Sequence, residues 1–177
     1  DVQLARQARE LEMDGIEVCD DTGALRPGIA EILEIIKTHN LILATGHIAP
    51  EESLVLVDAA VGMGLEKILI THAAQHNHTQ GMTVEQVKRL VAMGAYVEYC
   101  AHAMNPLEAN IAPQTLIDMI KAVGPEHCVF STDYGQRFSP IAPEGFRMGM
   151  GALLELGMRE EEISIMVKDN PRRLLDV

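Results

Sequence analysis

Short apolar runs rich in β-formers recur along the chain, and three of them stop at a histidine or an aspartate. Gly15 to Cys19 reads GIEVC, residues 41–47 read LILATGH, residues 67–72 KILITH, residues 95–100 AYVEYC and residues 127–133 HCVFSTD. Their ends fall at Cys19, His47, His72, Cys100 and Asp133, at intervals of 28, 25, 28 and 33 residues. Between them the apolar residues are spaced at about 3.6 residues, the mark of helices. Ile29, Ile32, Leu33 and Ile36 share one helical face after Pro27, and Pro50 opens a helix through about Met63. Thr83 and Gln86 have the spacing of a capping box, for a helix to about Met93. Pro113 to Val123 reads as a helix, and helices are expected over roughly 144–156, 160–168 and the terminal NPRRLL. A further helix is expected over residues 3–13, where Leu4, Ala8 and Leu11 recur among charged positions.

Strands alternating with helices of this length imply βαβ units and a parallel sheet covered on both faces. The repeat is that of the βα unit and not of a solenoid, because the segments share no residue pattern beyond strand and helix. Five strands do not close a barrel, which takes eight strands and about 250 residues. Two architectures accommodate these runs: an open doubly wound sheet, or a barrel whose first three βα units lie upstream. The chain begins at Asp1 within a helical pattern, which favours the second. One domain spanning residues 1–177 is expected.

Composition narrows the function. Hydrophobic residues make up 47% and charged residues 23%, as in ordinary globular proteins. The formal net charge of −12 opposes binding to nucleic acid or anionic membrane. No stretch approaches the ~20 apolar residues of a membrane span. The three cysteines lack disulfide-framework spacing and read as small buried hydrophobes in a reducing, cytoplasmic setting.

In a parallel α/β sheet the C-terminal strand ends lie on one side, where ligands bind. His47, His72 and Asp133 would therefore converge although they are remote in sequence. Two imidazoles and a carboxylate suit a divalent metal, zinc foremost and manganese or iron next. Taken singly, a His after a strand is more often a hydrogen-bonded loop residue; three ligand types at matching strand ends weaken that reading. His76 and His78 form an H-x-H on the loop after the third strand, a plausible ligand pair but expected first of all to face substrate from a solvated loop. Glu98 interrupts an apolar strand near its C-terminal end, and a buried carboxylate needs a partner, so it is expected to line the pocket or to form an ion pair. Glu17 poses the same question in the first strand. Tyr134 and Arg137, after the last strand, are candidates to orient substrate, as are His102 and Gln136. Asp20 and Asp21, just past the first run, could hold a metal, but DDTG is also an ordinary turn sequence. Lys67 begins its strand instead of ending it, which argues against a Schiff-base barrel enzyme.

LATGH, ILITHA, VFSTDYG and the terminal NPRRLL together resemble the later half of the amidohydrolase superfamily, near its metal-dependent hydrolases and decarboxylases. The resemblance runs from about Gly15 to the end. It implies a (β/α)8 TIM-barrel type of fold, here a partial barrel of the C-terminal five βα units. It also implies that His47 is a metal ligand and His72 a second ligand or carbonyl polariser. Asp133 would ligate the metal or take a proton from the water. The family's first-strand H-x-H pair has no counterpart before Gly15. The function so implied is hydrolysis of an amide, lactone or ester-like bond of a small molecule. Decarboxylation on the same scaffold and a non-catalytic binding module are the alternatives. Exposed barrel edges lead us to expect pairing with another copy or with further segments of the barrel.

Overall fold

The computed structural model of the chain describes residues 17–74, 81–105 and 111–177. The expected helix over residues 3–13 and the His76/His78 pair lie outside the described residues.

Four parallel strands form one sheet: β1 (Leu43–Ala44), β2 (Ile68–Ile70), β3 (Tyr96–Cys100) and β4 (Cys128–Ser131), in the spatial order β1-β2-β3-β4. The crossovers carry α1 (Pro27–Thr38, before β1), α2 (Pro50–Gly62), α3 (Val84–Ala92) and α4 (Pro113–Val123). After β4 come α5 (Ala142–Glu155), α6 (Glu160–Ser164), a π-helical turn over Ile165–Asp169, and α7 (Asn170–Leu175). Proline sits in the first turn of α1, α2 and α4, where its missing N–H costs nothing. The Thr83–Gln86 capping box is formed: the Gln86 amide donates to Thr83 Oγ1, and Gln86 Oε1 accepts from the Thr83 amide at 2.8 Å.

Sequential strand order means that every crossover passes on the same side of the sheet, because parallel crossovers share one hand. Burial follows that rule. Ile70 pairs with Val97 and Val97 with Cys128, while Tyr99 pairs with Phe130; this row of side chains is buried beneath helices. On the other face, Ala44, Leu69, Tyr96 and Glu98 retain access to solvent. The sheet is therefore singly wound and covered on one face. This corrects the expectation of two covered faces, and it removes the doubly wound alternative for the described strands.

The expected first strand is also corrected. Among the described residues of that segment, Cys19 makes an isolated antiparallel bridge to Leu25 and joins no sheet. The amides of Val18 and Cys19 donate instead to Glu52 Oε1 at the start of α2, at 2.9 and 3.3 Å. The Asp20 carboxylate then accepts from Thr22 and Ala24 and closes a turn. On α1 the apolar face is only partly used: Leu33 is buried, whereas Ile32 is half exposed.

The chain's end is tied to the N-terminal side of the sheet. Asn170, fully buried, donates through Nδ2 to the carbonyls of Pro125 and Cys128 at 2.9 and 2.6 Å. Lys67 Nζ pairs with the Asp176 carboxylate, at the opposite end of β2 from His72. Among the described residues, no helix is long and apolar enough to cross a membrane.

Candidate metal centre at the strand ends

Two threonines fix the exits of β1 and β2 against each other. Thr45 Oγ1 accepts from the Thr71 amide at 3.0 Å, and Thr71 Oγ1 accepts from the Gly46 amide at 3.2 Å. The chain turns at Gly46, whose φ is +66°, and delivers His47. One strand over, His72 itself sits in the left-handed region with φ 56°. Asp133, after β4, does the same with φ 52°. For a side chain with a Cβ, that conformation costs about 1–2 kcal/mol. Two such residues at the same end of one sheet carry strain of the kind that collects at functional sites.

The side chains meet there. The His47 and His72 rings stack with centres 4.5 Å apart and planes at 24°. His72 Nδ1 lies 3.9 Å from Asp133 Oδ2 and 3.7 Å from Cys100 Sγ. The donor atoms of His72, Cys100 and Asp133 all fall within 4.8 Å of one another. Cys100 Sγ lies in turn 3.2 Å from Ser131 Oγ, its cross-strand neighbour, and Ser131 hydrogen-bonds the Glu98 carboxyl. The Asp133 side chain is 34% exposed and that of His72 12%, so the cluster opens to solvent at the carboxylate.

The electrostatics follow from this crowding. Loss of solvation pushes the His47 pKa below the usual histidine value; the neighbouring His72 pushes it further and Asp133 opposes. His47 is thereby favoured as a neutral imidazole. Burial raises the Glu98 carboxyl above its ordinary range, and repulsion from Asp133 adds to this, against the Ser131 hydrogen bond. Burial likewise holds the Cys100 thiol well above the ordinary thiol range, with Glu98 contributing.

The structure thus gathers His47, His72 and Asp133, with Glu98 beneath them on the same face of the sheet. Tyr134 borders the group, its ring edge-on to His102 with centres 6.1 Å apart and seated over Gly145 of α5. The His102 amide donates to the Thr132 carbonyl and so continues the β3–β4 pairing past Ser131. Arg137 is exposed, with its guanidinium 5.4 Å above the Phe138 ring. Gln136 braces its own turn, donating to the Asp133 carbonyl and accepting from Gly135 and Ser139. Glu17 is exposed and pairs with Arg26.

Sequence reasoning passed over Cys100, Ser131 and the Thr45–Thr71 pair. For Cys100 the signal was present, since it ends its strand as His72 ends the one beside it.

Residues 2–98 match the profile described as "Family of unknown function (DUF6282)". The chain belongs to that family. The matched stretch holds His47, His72 and Glu98 and stops short of Cys100 and Asp133. No curated protein matches this DUF6282 member in sequence.

Solved structures do match it in fold. A phosphotriesterase from Mycobacterium tuberculosis is 17% identical over 86% of this chain and 52% of its own, with a TM-score of 0.58. A putative 2-pyrone-4,6-dicarboxylic acid hydrolase from Pseudomonas putida is 20% identical, over 99% and 67%, with a TM-score of 0.56. An amidohydrolase from Burkholderia multivorans, solved with bound zinc, is 13% identical over 100% and 70%, with a TM-score of 0.58. The DUF6282 chain therefore spans between about half and seven-tenths of the length of these hydrolytic enzymes. What it shares with them is an α/β fold built on a parallel sheet.

Proposed function

We propose that this chain forms the C-terminal βα units of a (β/α)8 barrel and carries part of the metal centre of a hydrolase. The reaction is cleavage of an amide, lactone or ester-like bond of a small molecule. The observation that carries the reading is the 3.9 Å separation of His72 Nδ1 and Asp133 Oδ2 on the open face of the sheet. Ligands bound at about 2.0–2.2 Å around a tetrahedral ion lie roughly 3.3–3.6 Å apart, so this pair needs a shift of only a few tenths of an ångström to share one cation. Imidazole and carboxylate donors suit zinc, with manganese and iron as the other candidates.

His72 and Asp133 would hold the ion, with His47 supplying a neutral imidazole beside them. A divalent ion in that position supplies Lewis acidity to polarise the scissile carbonyl. Asp133, open to solvent on one side, takes the proton of the attacking water and returns it to the leaving group. His72, stacked under His47, is fixed in orientation by that contact and by the Thr45–Thr71 lock. Tyr134, His102 and Glu98 form the wall against which substrate rests, Glu98 as a carboxyl biased toward its protonated, hydrogen-bond-donating form.

The test is turnover of a panel of amides, lactones and esters by the full chain supplied with zinc, manganese or iron. Hydrolysis reduced about 10²–10⁴-fold by Asp133→Asn is the expected result. Carbon dioxide release from carboxylated substrates with no hydrolysis would contradict the proposal and point to decarboxylation; hydrolysis indifferent to Asp133 would contradict the role given to that residue.

A further inference from the structure

We infer that Cys100 is a metal ligand, completing a three-donor set with His72 and Asp133 and giving the site a preference for zinc over manganese. The inference rests on the proposed cation site at His72 and Asp133 and adds to it a donor from the strand between them.

Three observations lead to Cys100. It ends β3, which runs between β2 and β4, so it belongs to the strand end between those that deliver His72 and Asp133. Its register partner is Ser131, which places both side chains on the open face of the sheet, away from the packed helices. Its Sγ is 3.7 Å from His72 Nδ1, close to the separation of two ligands on one ion, and all three donor atoms lie within 4.8 Å of one another. Among the described residues this is the one group of three such side chains with donors that close.

Neighbours support the assignment. Ser131 Oγ, 3.2 Å from Sγ, can donate its one proton to a thiolate when the carboxyl of Glu98, its other partner, is protonated and donates to Ser131 Oγ. Hydrogen bonds of this kind orient metal ligands from behind. Coordination replaces the S–H bond of Cys100 by a sulfur–metal bond, and the proton leaves to solvent. Sulfur is a soft donor: it binds zinc, cobalt and cadmium well, and magnesium and manganese poorly. A site of two hard or borderline donors alone would discriminate less.

Two measurements on the chelator-stripped full chain test this. Cobalt is added as a probe; visible d–d absorption reports that the ion is bound, and a strong near-ultraviolet charge-transfer band reports a thiolate among its ligands. We expect both bands in the parent. Cys100→Ser should keep the visible band and lose the near-ultraviolet one, with the zinc-to-manganese affinity ratio falling at least tenfold. X-ray absorption of the zinc-loaded, unmutated chain is independent of how any variant folds. It should show one sulfur at about 2.3 Å. Cobalt or zinc bound with only nitrogen and oxygen neighbours would overturn the role of Cys100 and leave the His72–Asp133 site standing. Absence of binding by either ion would overturn both.

Discussion

The imidazole of His47 lies flat against that of His72, with ring centres 4.5 Å apart. The two rings leave adjacent parallel strands whose ends are locked by reciprocal threonine hydrogen bonds, so the stack is built by the backbone. The neighbouring His72 ring makes a proton on His47 harder to hold, on top of the loss of solvation.

That stack predicts a pH dependence of stability. The His47 pKa in the folded chain lies below its unfolded value of 6.5, so the unfolded chain binds more protons as the solution is acidified. The stabilisation is complete above the unfolded value and is lost as pH falls through the depressed one. His47→Gln should flatten the loss of stability between about pH 7 and about pH 5. Urea midpoints measured across that range, with the same slope against pH in parent and variant, would contradict it.

Glu98 predicts the opposite sign. Its folded pKa is raised above the ordinary 4.5, so its contribution is present below that value and is lost as pH rises through the higher, folded one. Glu98→Gln should therefore be more stable than the parent at neutral pH, with the advantage vanishing near about pH 4. The same urea series reads this out, and a variant weaker than the parent at neutral pH would count against it.

Backbone strain at the strand ends can be isolated by comparing two substitutions at one position. His72 has φ 56°, which glycine adopts freely and alanine does not. His72→Gly should exceed His72→Ala in unfolding free energy by about 1 kcal/mol, and Asp133 should behave likewise. Equal stabilities would show that the left-handed turns carry no strain.

Glycines on α5 divide by what lies over them. A Cβ on Gly149 would stand 2.9 Å from Phe130 Cζ and 3.0 Å from Ala101 Cβ, whereas one on Gly151 would meet nothing within 4 Å. Overpacking costs about 1–3 kcal/mol, against a helical gain for alanine of about 1 kcal/mol. Denaturation should therefore show Gly149→Ala destabilised and Gly151→Ala stabilised. Two shifts of the same sign would refute this account of the packing.

Periodicity made the αβ alternation readable because buried parallel strands are continuous apolar runs, and KILITH or HCVFS has no helical alternative of that length. The helix starts at Pro27, Pro50, Thr83 and Pro113 were readable from capping chemistry, which is local. The segment after Gly15 misled because Val18 and Cys19 are β-formers whose amides are claimed by Glu52, a residue 34 and 33 positions away, and no local pattern records that. One-sided coverage of the sheet was equally hidden, since strand order is a property of the whole fold. In the NPRRLL motif, Asn170 proves to be a structural tie, holding the carbonyls of Pro125 and Cys128. Cys100 escaped notice because apolar surroundings make a cysteine look like filler, and only the neighbouring strand ends reveal its company.

Zinc titrated calorimetrically into the chelator-stripped full chain tests the centre most directly, with His72→Gly and Asp133→Gly as comparisons that keep the left-handed backbone. The account predicts one ion bound per chain and affinity reduced at least a hundredfold in each variant. Parent and variants binding zinc equally, or a parent binding none, would contradict it.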